Sequence, residues 1–353
     1  MSDDTEPYGY DPEKRRRRAM RDLFDRMEQD TQTQSLGLQQ IGAAAGLPQL
    51  TAVKRRRIEA AVKVRTEPPH QQPVTYQHSM LCQTALPLRA QEARVWDQRQ
   101  GNVAIRIVAG EAYHPELKTY VDLALPYGSR ARLVMFHINN QAVKTGSPVV
   151  EVEDSMTAFV RRLMGGVDPS GPQIRSFKDQ LGALSACTMR FAYDGADPTQ
   201  LNTQIIDKFD LWFPKDHRQR VLWPTYVEIA PRYFESLLAH AVPLNETTIA
   251  ALSNNATALD VYCWLAHRLH RVPHGRSQLV PWSALYQQFG QGYSRIRKFR
   301  EKFTEILKLV TSYYTDARLK ADTKGLHLLN SPPPVPKSLI TVGRGLTLDH
   351  QPD

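Results

Sequence analysis

Closely spaced cations between residues 295 and 302 are the side chains best suited to chemistry on a polyanion. A second basic run lies between 318 and 324, and two further cations stand at 175 and 178. Lysine and arginine bind phosphate oxygens, and arginine also hydrogen-bonds the edges of bases. The candidate binding residues are Arg295, Arg297, Lys298, Arg300, Lys302, Arg318, Lys320, Lys324, Arg175 and Lys178. Their types and spacing predict binding to double-stranded DNA.

Residues that could support catalysis are few. The sequence has no Gly-Lys-Ser/Thr phosphate loop, so an ATP-driven reaction is not expected. A strand-nicking enzyme needs metal-binding histidines and a tyrosine nucleophile, and the nearest candidates are His267, His270, His274, Tyr313 and Tyr314. The histidine spacing favours contacts with a helix C-terminus or with phosphate, and Tyr314 continues an apolar stripe. We therefore expect no enzymatic activity, no cofactor and no metal.

The cations at 295–302 must be positioned by a helix that follows a tight turn. Gly290 and Gly292 can take positive φ in that turn, and Ser294 is the predicted N-cap of a helix to about Ala317. The predicted inward stripe is Ile296, Phe299, Phe303, Ile306 and Val310. The cations then lie on the N-terminal half of the outer face, where a helix-turn-helix contacts bases. A merely solvated basic helix is the alternative, but clustering after the turn, rather than pairing with Glu at i+4, favours DNA.

The segments around this helix complete a winged-helix pattern. A buried helix at Leu259–Leu269 leads through the apolar stretch Leu279–Pro281 to a second helix that begins near Trp282. After the cationic helix, Arg318–Lys324 and Leu326–Leu329 are predicted to form a two-stranded wing. The order of elements is that of a complete winged-helix domain.

A similar order is predicted earlier in the chain. Strands that include Val103–Val108 and Thr119–Leu123 are followed by a helix that begins after Ser129. A strand at Val149–Val152 comes next, and Asp154 is the predicted N-cap of the following helix. A tandem of two winged helices is therefore predicted.

The candidate recognition helix of this earlier unit begins at Gln173 and carries Arg175, Ser176, Lys178 and Gln180 outward. Strands at 188–193 and 203–213 are predicted to follow as its wing. This helix is less basic than the later one. Positioning on phosphates, or contact with a second copy of the protein, is therefore an alternative role for it.

Composition sets the limits of these interpretations. A chain of 353 residues suggests two domains, and a net charge of +9 with a pI near 9.4 favours a polyanionic partner. Cys82, Cys187 and Cys263 each lie among apolar neighbours, which predicts buried thiols in a reducing compartment. The acidic start at Met1 predicts no secretory signal, and we expect a cytoplasmic, DNA-associated protein.

The predicted fold class is helix-rich α+β. We expect a disordered basic arm over 1–79, with one possible short helix at 13–28. A first winged-helix domain with N-terminal β-strands is expected over 80–240, a second over 241–336, and a flexible tail over 337–353.

Four segments in order give the chain a family resemblance. They are Leu125–Leu133, Leu259–Leu269, Gln288–Tyr293 with Lys298–Arg300, and Gly325–Val335. Over about 80–336 the sequence resembles the RepA-type replication initiators of bacterial plasmids. The resemblance implies a protein that binds repeated origin sites, promotes opening of adjacent A·T-rich DNA and brings in host replication proteins. It also implies a monomer–dimer equilibrium, with dimers that repress the protein's own gene. A plain transcriptional repressor and a tyrosine-dependent nicking initiator are the alternatives.

Overall fold

A computed structural model describes residues 52–68, 71–114, 117–151, 155–195, 199–208 and 226–336. The chain divides into two compact units, Met1–Ala60 and Ala61–Asp353. Of the first unit, the structure describes only part of one helix. The helix predicted at 13–28 and the tail predicted at 337–353 lie outside the described residues.

The helices in the described ranges are numbered in chain order. They are α1 (Ala52–Thr66), α2 (Ser79–Gln83), α3 (Gly128–Thr145), α4 (Met156–Leu163), α5 (Gly171–Ala186), α6 (Pro231–His240), α7 (Glu246–Leu252), α8 (Ala256–Arg268), α9 (Trp282–Phe289) and α10 (Ile296–Thr311). A short 3-10 turn, Leu269–Arg271, extends α8. None of these helices combines the length and apolar character that crossing a membrane requires.

The strands of the same ranges form small antiparallel sheets. They are β1 (Val74–His78), β2 (Val95–Gln100), β3 (Val103–Val108), β4 (Glu111–His114), β5 (Thr119–Asp122), β6 (Val149–Glu151), β7 (Thr188–Tyr193), β8 (Thr199–Gln204), β9 (Ile206–Lys208), β10 (Tyr226–Ile229), β11 (Ala241–Asn245), β12 (Ser277–Pro281), β13 (Leu319–Ala321) and β14 (Gly325–Leu329). Helices and antiparallel sheets together make the fold α+β, as the sequence predicts.

Two stretches of the chain repeat one order of elements. In the N-terminal module, residues 128–229, helix α3 leads through β6 to α4 and α5, and β9 and β10 complete a sheet of order β6-β10-β9. In the C-terminal module, residues 256–329, helix α8 leads through β12 to α9 and α10, and the sheet has the order β12-β14-β13. The first strand of each sheet therefore pairs with the last.

The two strands predicted as the earlier wing, 188–193 and 203–213, do not form a hairpin with each other. Strand β7 pairs with β8, which overlaps the predicted strand 203–213 only at residues 203 and 204. It also pairs with β3 along its length, in a sheet of order β2-β3-β7-β8. Met189 and Phe191 on one face of β7 are fully buried beside Ile105 and Ile107 of β3. This apolar face needs a partner that a projecting wing would not supply. The sheet β6-β10-β9 instead contains β9, which lies within the predicted strand 203–213, and β10, which was not predicted. The predicted pairing of 188–193 with 203–213 is thereby corrected.

The predicted disordered arm also needs correction. Within 1–79 the chain forms helix α1 and strand β1, and β1 pairs with β11 from Val74↔Asn245 to His78↔Ala241. Thr75 and Tyr76 are buried in this sheet. Burial of a β-branched and an aromatic side chain, with a full antiparallel ladder, explains why this part of the arm adopts a strand.

Two helix starts differ from the prediction. Helix α4 is capped by Ser155, whose Oγ accepts a hydrogen bond from the Ala158 amide at 3.2 Å, and Asp154 lies outside the described residues. Helix α5 begins at Gly171 rather than Gln173, because Ser170 and Gln173 form a capping box. The shift adds about half a turn ahead of the cations of α5.

A buried ion pair joins the first helices of the two modules. Arg132 in α3 donates from Nε and Nη2 to the carboxylate of Asp260 in α8, at 2.6 and 2.7 Å. The same guanidinium donates to the carbonyls of Leu86, at 2.7 Å, and Gly128, at 2.8 Å. Burial raises the pKa of Asp260 and the Arg132 charge opposes that rise. With both partners almost fully buried, this pair fixes α3 against α8.

The cysteines lie as the sequence predicts. Cys82, Cys187 and Cys263 are free thiols with at most 3% of their surface exposed. Burial raises the pKa of Cys187 to about 12, so this thiol stays protonated. They contribute to packing rather than to a disulfide.

Candidate nucleic-acid interface

An aromatic cluster seats α10 in the C-terminal module. Phe303 stacks on Phe289 of α9 with ring centroids 5.3 Å apart and lies 5.1 Å from Phe299. Phe299 in turn meets Tyr286 edge-on at 5.4 Å, and Trp264 of α8 meets Phe289 at 5.6 Å. Burying one face of α10 this firmly fixes the direction of the opposite, cationic face.

The buried stripe of α10 differs from the prediction at two positions. Ile296 is 43% exposed, and Leu307 rather than Ile306 continues the line of Phe299, Phe303 and Val310. Ile296 is the first residue of the helix and lies beyond the aromatic cluster, which explains its exposure. The helix also ends at Thr311, earlier than the predicted Ala317.

The turn before α10 uses its two glycines differently. Gly292 has φ +79°, as the sequence predicts. Gly290 has φ −83°, and an added Cβ there would lie 2.3 Å from the Tyr286 carbonyl oxygen. Gly290 is therefore needed for close approach rather than for positive φ. The N-cap is Arg295, not Ser294, and no side chain caps the first amides of α10.

Arg295 and Arg297 are the first two cations of the α10 segment. Both are exposed, and no carboxylate among the described residues forms an ion pair with either. They lie in the first turn, where the uncapped amides and the helix dipole add positive potential. This end of α10 has the donors that an anionic partner needs.

The cations that follow in the first half of α10 are engaged within the protein. Lys298 pairs with Glu301 at 3.2 Å and Lys302 with Glu305 at 2.9 Å, both at i+3 spacing. The hydrogen bond to Glu305 raises the pKa of Lys302. The sequence prediction concerns pairing with glutamate only at i+4, whereas these pairs form at i+3, a spacing that serves as well.

The side chain of Arg300 extends from α10 to the turn between β13 and β14. Its Cζ lies 5.0 Å from the centroid of the Trp282 ring, and its Nη2 donates to the Thr323 carbonyl at 3.4 Å. The Trp282 indole itself donates to the Asp322 carbonyl at 2.9 Å. This role of Trp282 was not predicted, and its periodic apolar position gave no signal of it.

The wing presents the three cations that the sequence predicts. Arg318, Lys320 and Lys324 are all exposed. The turn between β13 and β14 is held by Asp322, whose carboxylate accepts from the amides of Lys324 and Gly325 and lies 2.8 Å from His327 Nε2. These bonds, that to His327 first, lower the pKa of Asp322 to about 2. Lys324 is thereby carried on an ordered turn beside α10.

Helix α5 of the N-terminal module presents a weaker cationic surface. Arg175 is exposed, but Lys178 is half-buried and its pKa is lowered by burial. Asp179 lies beside them, with a pKa that burial raises and the two cations lower. Gln180, predicted outward, is buried because its Oε1 accepts the Tyr127 amide at the start of α3, at 2.7 Å.

The residues considered for strand nicking are not assembled into a site. Tyr313 and Tyr314 are 3% and 2% exposed, and the Tyr314 hydroxyl donates to the Pro332 carbonyl at 2.6 Å. His270 Nδ1 lies 3.0 Å from the Ala266 carbonyl at the end of α8. Burial lowers the pKa of His267 to about 3. Among the described residues, no three His, Cys, Asp or Glu side chains are grouped to hold a metal ion.

Comparison with solved structures gives weak likenesses to domains of RctB. A crystal structure of domains 2 and 3 of RctB matches with 12% identity and a TM-score of 0.43, over 65% of this chain and 83% of that chain. A second structure of RctB domains 2–3 matches with 13% identity and a TM-score of 0.43, over 70% and 94%. A comparison with curated protein sequences gave no match.

The family comparison covers the N-terminal module and the first part of the C-terminal module. Residues 125–284 match the family of plasmid-encoded RepA proteins, from the residues before α3 into α9. Helix α10 and its wing lie beyond the matched residues. The predicted resemblance to plasmid RepA proteins is thereby confirmed over residues 125–284.

Proposed function

We propose that this protein initiates plasmid replication by binding specific double-stranded DNA, without catalysing a reaction. The observation that carries the proposal is the first turn of α10, where Arg295 and Arg297 are exposed and have no ion-pair partner among the described residues. Arginine hydrogen-bonds guanine bidentately, which makes it well suited to reading a base sequence. The RepA match over 125–284 supports replication as the purpose of that binding.

The two modules support a tandem winged-helix fold. In each, two helices precede a third, and the sheet brings the last strand against the first. In a helix-turn-helix the last helix enters the major groove, with its N-terminal residues at the bases. On this assignment α10 reads bases, the turn at Asp322 carries the wing along the backbone, and α5 contacts a second groove.

The spacing of the DNA site follows from one protein carrying two such helices. Successive major-groove faces on one side of a duplex lie about 10 bp apart, so two helices cover a repeat of about 20 bp. The buried Arg132–Asp260 pair supports a fixed distance between them, since it joins α3 to α8.

The later steps are proposed from the family. A protein bound to repeated origin sites promotes opening of adjacent A·T-rich DNA and engages host replication proteins. A monomer–dimer equilibrium, with dimers repressing the protein's own gene, fits the same assignment. A plain repressor with this fold is the second candidate. The burial of Tyr313 and Tyr314 argues against a nicking enzyme that uses them.

Footprinting tests the binding step. The protein is expected to protect repeats of about 20 bp in DNA that flanks its own gene. The double substitution Arg297→Ala with Lys298→Ala is expected to abolish these footprints while the melting temperature stays unchanged. Unchanged footprints in the double variant would show that α10 is not the reader.

A mini-replicon separates initiation from repression. A plasmid whose only origin is the footprinted DNA should be maintained when the wild-type protein is supplied, and lost with the Arg297→Ala, Lys298→Ala variant. Reactivity of the A·T-rich segment to a single-strand probe should appear with the wild-type protein. Repression of a reporter without plasmid maintenance would favour the repressor.

A further inference from the structure

A loop far from α10 in sequence lies against the turn that precedes it. This loop, residues 84–91, lies in the connection between α2 and β2. Its Leu88 amide donates to Gln291 Oε1 at 2.9 Å, across a separation of 203 residues. Gln291 Nε2 returns a bond to the Leu86 carbonyl at 3.4 Å. The loop is therefore attached to the turn between α9 and α10.

The same loop is anchored from the other side. Arg132 of the buried ion pair donates to the Leu86 carbonyl at 2.7 Å, and the Trp96 indole donates to the Ala85 carbonyl at 3.3 Å. Bonds from α3, from β2 and from the Gln291 turn fix the backbone up to Leu88. The next residue, Arg89, is exposed at the end of a rigid segment.

Arg89 lies beside the start of α10. A Cβ placed on Gly292 would lie 3.9 Å from the Arg89 Cζ, so the guanidinium lies over this turn. Gly292 precedes Arg295 by three residues. Within the described residues, Arg89 forms no ion pair, as is also true of Arg295 and Arg297.

Free cations at one end of a helix are stabilised when an anion binds among them. Here the uncapped amides of α10 add to the same positive potential. The edge of a major groove that holds α10 presents a row of phosphates, and the turn before a recognition helix faces that edge. Arg89 has the position and the donors to bind one of them.

We propose that Arg89 binds a DNA phosphate at the edge of the groove occupied by α10. The inference rests on the proposed function and adds a third DNA-contacting segment, residues 84–91, to the helix and the wing. Because the segment is also bonded to Arg132, the contact sets the register of α10 through the frame that joins both modules. Arg89 is a positioning residue and reads no base.

Salt-dependent binding tests this role. The probe is a duplex enriched by the wild-type protein from random-sequence DNA, and the variants are Arg89→Ala, Arg89→Lys and the control Arg190→Ala. Gln98 lies on the sheet face that packs towards α9, because its Nε2 donates to the Gln288 carbonyl. Arg190 is exposed on the opposite face of the same sheet, so it points away from α9. Arg89→Ala should make the slope of log K against log salt less steep by about 0.9. The same loss of one phosphate contact should lower the affinity about eightfold at 0.1 M salt. Arg89→Lys should keep the slope, and Arg89→Ala should enrich the same DNA sequence as the wild type.

Each contrary result has a distinct meaning when Arg297→Ala is measured beside these variants. If Arg89→Ala matches Arg190→Ala while Arg297→Ala loses specificity, the role of Arg89 is overturned and the proposed function stands. If Arg89→Ala alters the enriched sequence, the residue contacts bases and the phosphate assignment is overturned. If the wild-type protein enriches no sequence, both proposals fail. Equal melting temperatures of the variants exclude unfolding as the cause of a loss.

Discussion

Helices α5 and α10 occupy equivalent places in the two modules but present different outer faces. Helix α10 begins with two exposed arginines that have no ion-pair partner among the described residues. Helix α5 carries one exposed arginine, and its lysine is half-buried beside Asp179. A repeated fold therefore does not imply a repeated function. We expect α10 to supply base recognition and α5 to supply phosphate contacts at most.

The largest expected effect concerns the frame that holds the two helices. Arg132→Ala leaves the Asp260 carboxylate buried without its partner, which should lower the free energy of unfolding by about 3 to 5 kcal/mol. Denaturant unfolding measures the loss. Arg106→Ala is the matched control, because it breaks the exposed pair with Asp97 and should change stability little. A loss for Arg132→Ala no greater than that control would mean that the modules are not joined through this pair.

The next effect compares the two helices directly. Arg297→Ala should lower binding to the selected duplex by about 1 to 3 kcal/mol, because a bidentate base contact is lost. Arg175→Ala should act equally on specific and random DNA, and should lower only the salt slope, by about 0.9 or less. Titrations of both variants against both DNAs give the result. A sequence-specific loss for Arg175→Ala would make α5 a second reader.

A smaller effect in the opposite direction comes from acidic neighbours. Glu301→Gln releases Lys298 on α10 and should strengthen binding by up to about eightfold at 0.1 M salt, as for one added phosphate contact. Asp179→Asn is the corresponding change on α5 and should strengthen binding less. The comparison of the helices would be wrong if Asp179→Asn gave the larger gain.

The smallest effect tests the wing of the C-terminal module by pH. Hydrogen bonds lower the pKa of Asp322 to about 2, from its ordinary value of 3.8. These bonds therefore stabilise the turn fully at pH values above 3.8. That contribution is lost as the pH falls towards 2, since the depressed pKa belongs to the folded form. NMR titration of the carboxyl should give a midpoint near 2, and His327→Ala should raise it. A midpoint of 3.8 in the intact protein would show that the turn is not held in this way.

Sequence reasoning succeeded where a pattern is local. The periodic apolar residues around Trp282 and Phe303 predict α9 and α10, and the basic turn before Gly325 predicts the β13–β14 hairpin. It failed where a residue distant in sequence determines the orientation of a side chain or the pairing of a strand. Gln180 turns inward because the Tyr127 amide needs an acceptor, and the β7–β8 hairpin joins β3 because its apolar face must be covered.

The candidate site divides in the same way. The cations of α10 are visible as a cluster in the sequence, but their pairing is not, since Glu301 and Glu305 suit several spacings. The position of Arg89 beside Gly292 depends on bonds that span about two hundred residues, so no local pattern indicates it. Spacing identifies the charges, and only the fold shows which of them are free.

Selection of binding sites from random duplexes, carried out in parallel with the wild-type protein, Arg297→Ala and Arg175→Ala, tests the central claim most directly. The claim is that the first turn of α10 reads bases. We expect the wild-type protein and Arg175→Ala to enrich the same sequence, and Arg297→Ala to lose the preference at the base pairs that Arg297 contacts. Enrichment of an unchanged sequence by Arg297→Ala would contradict it.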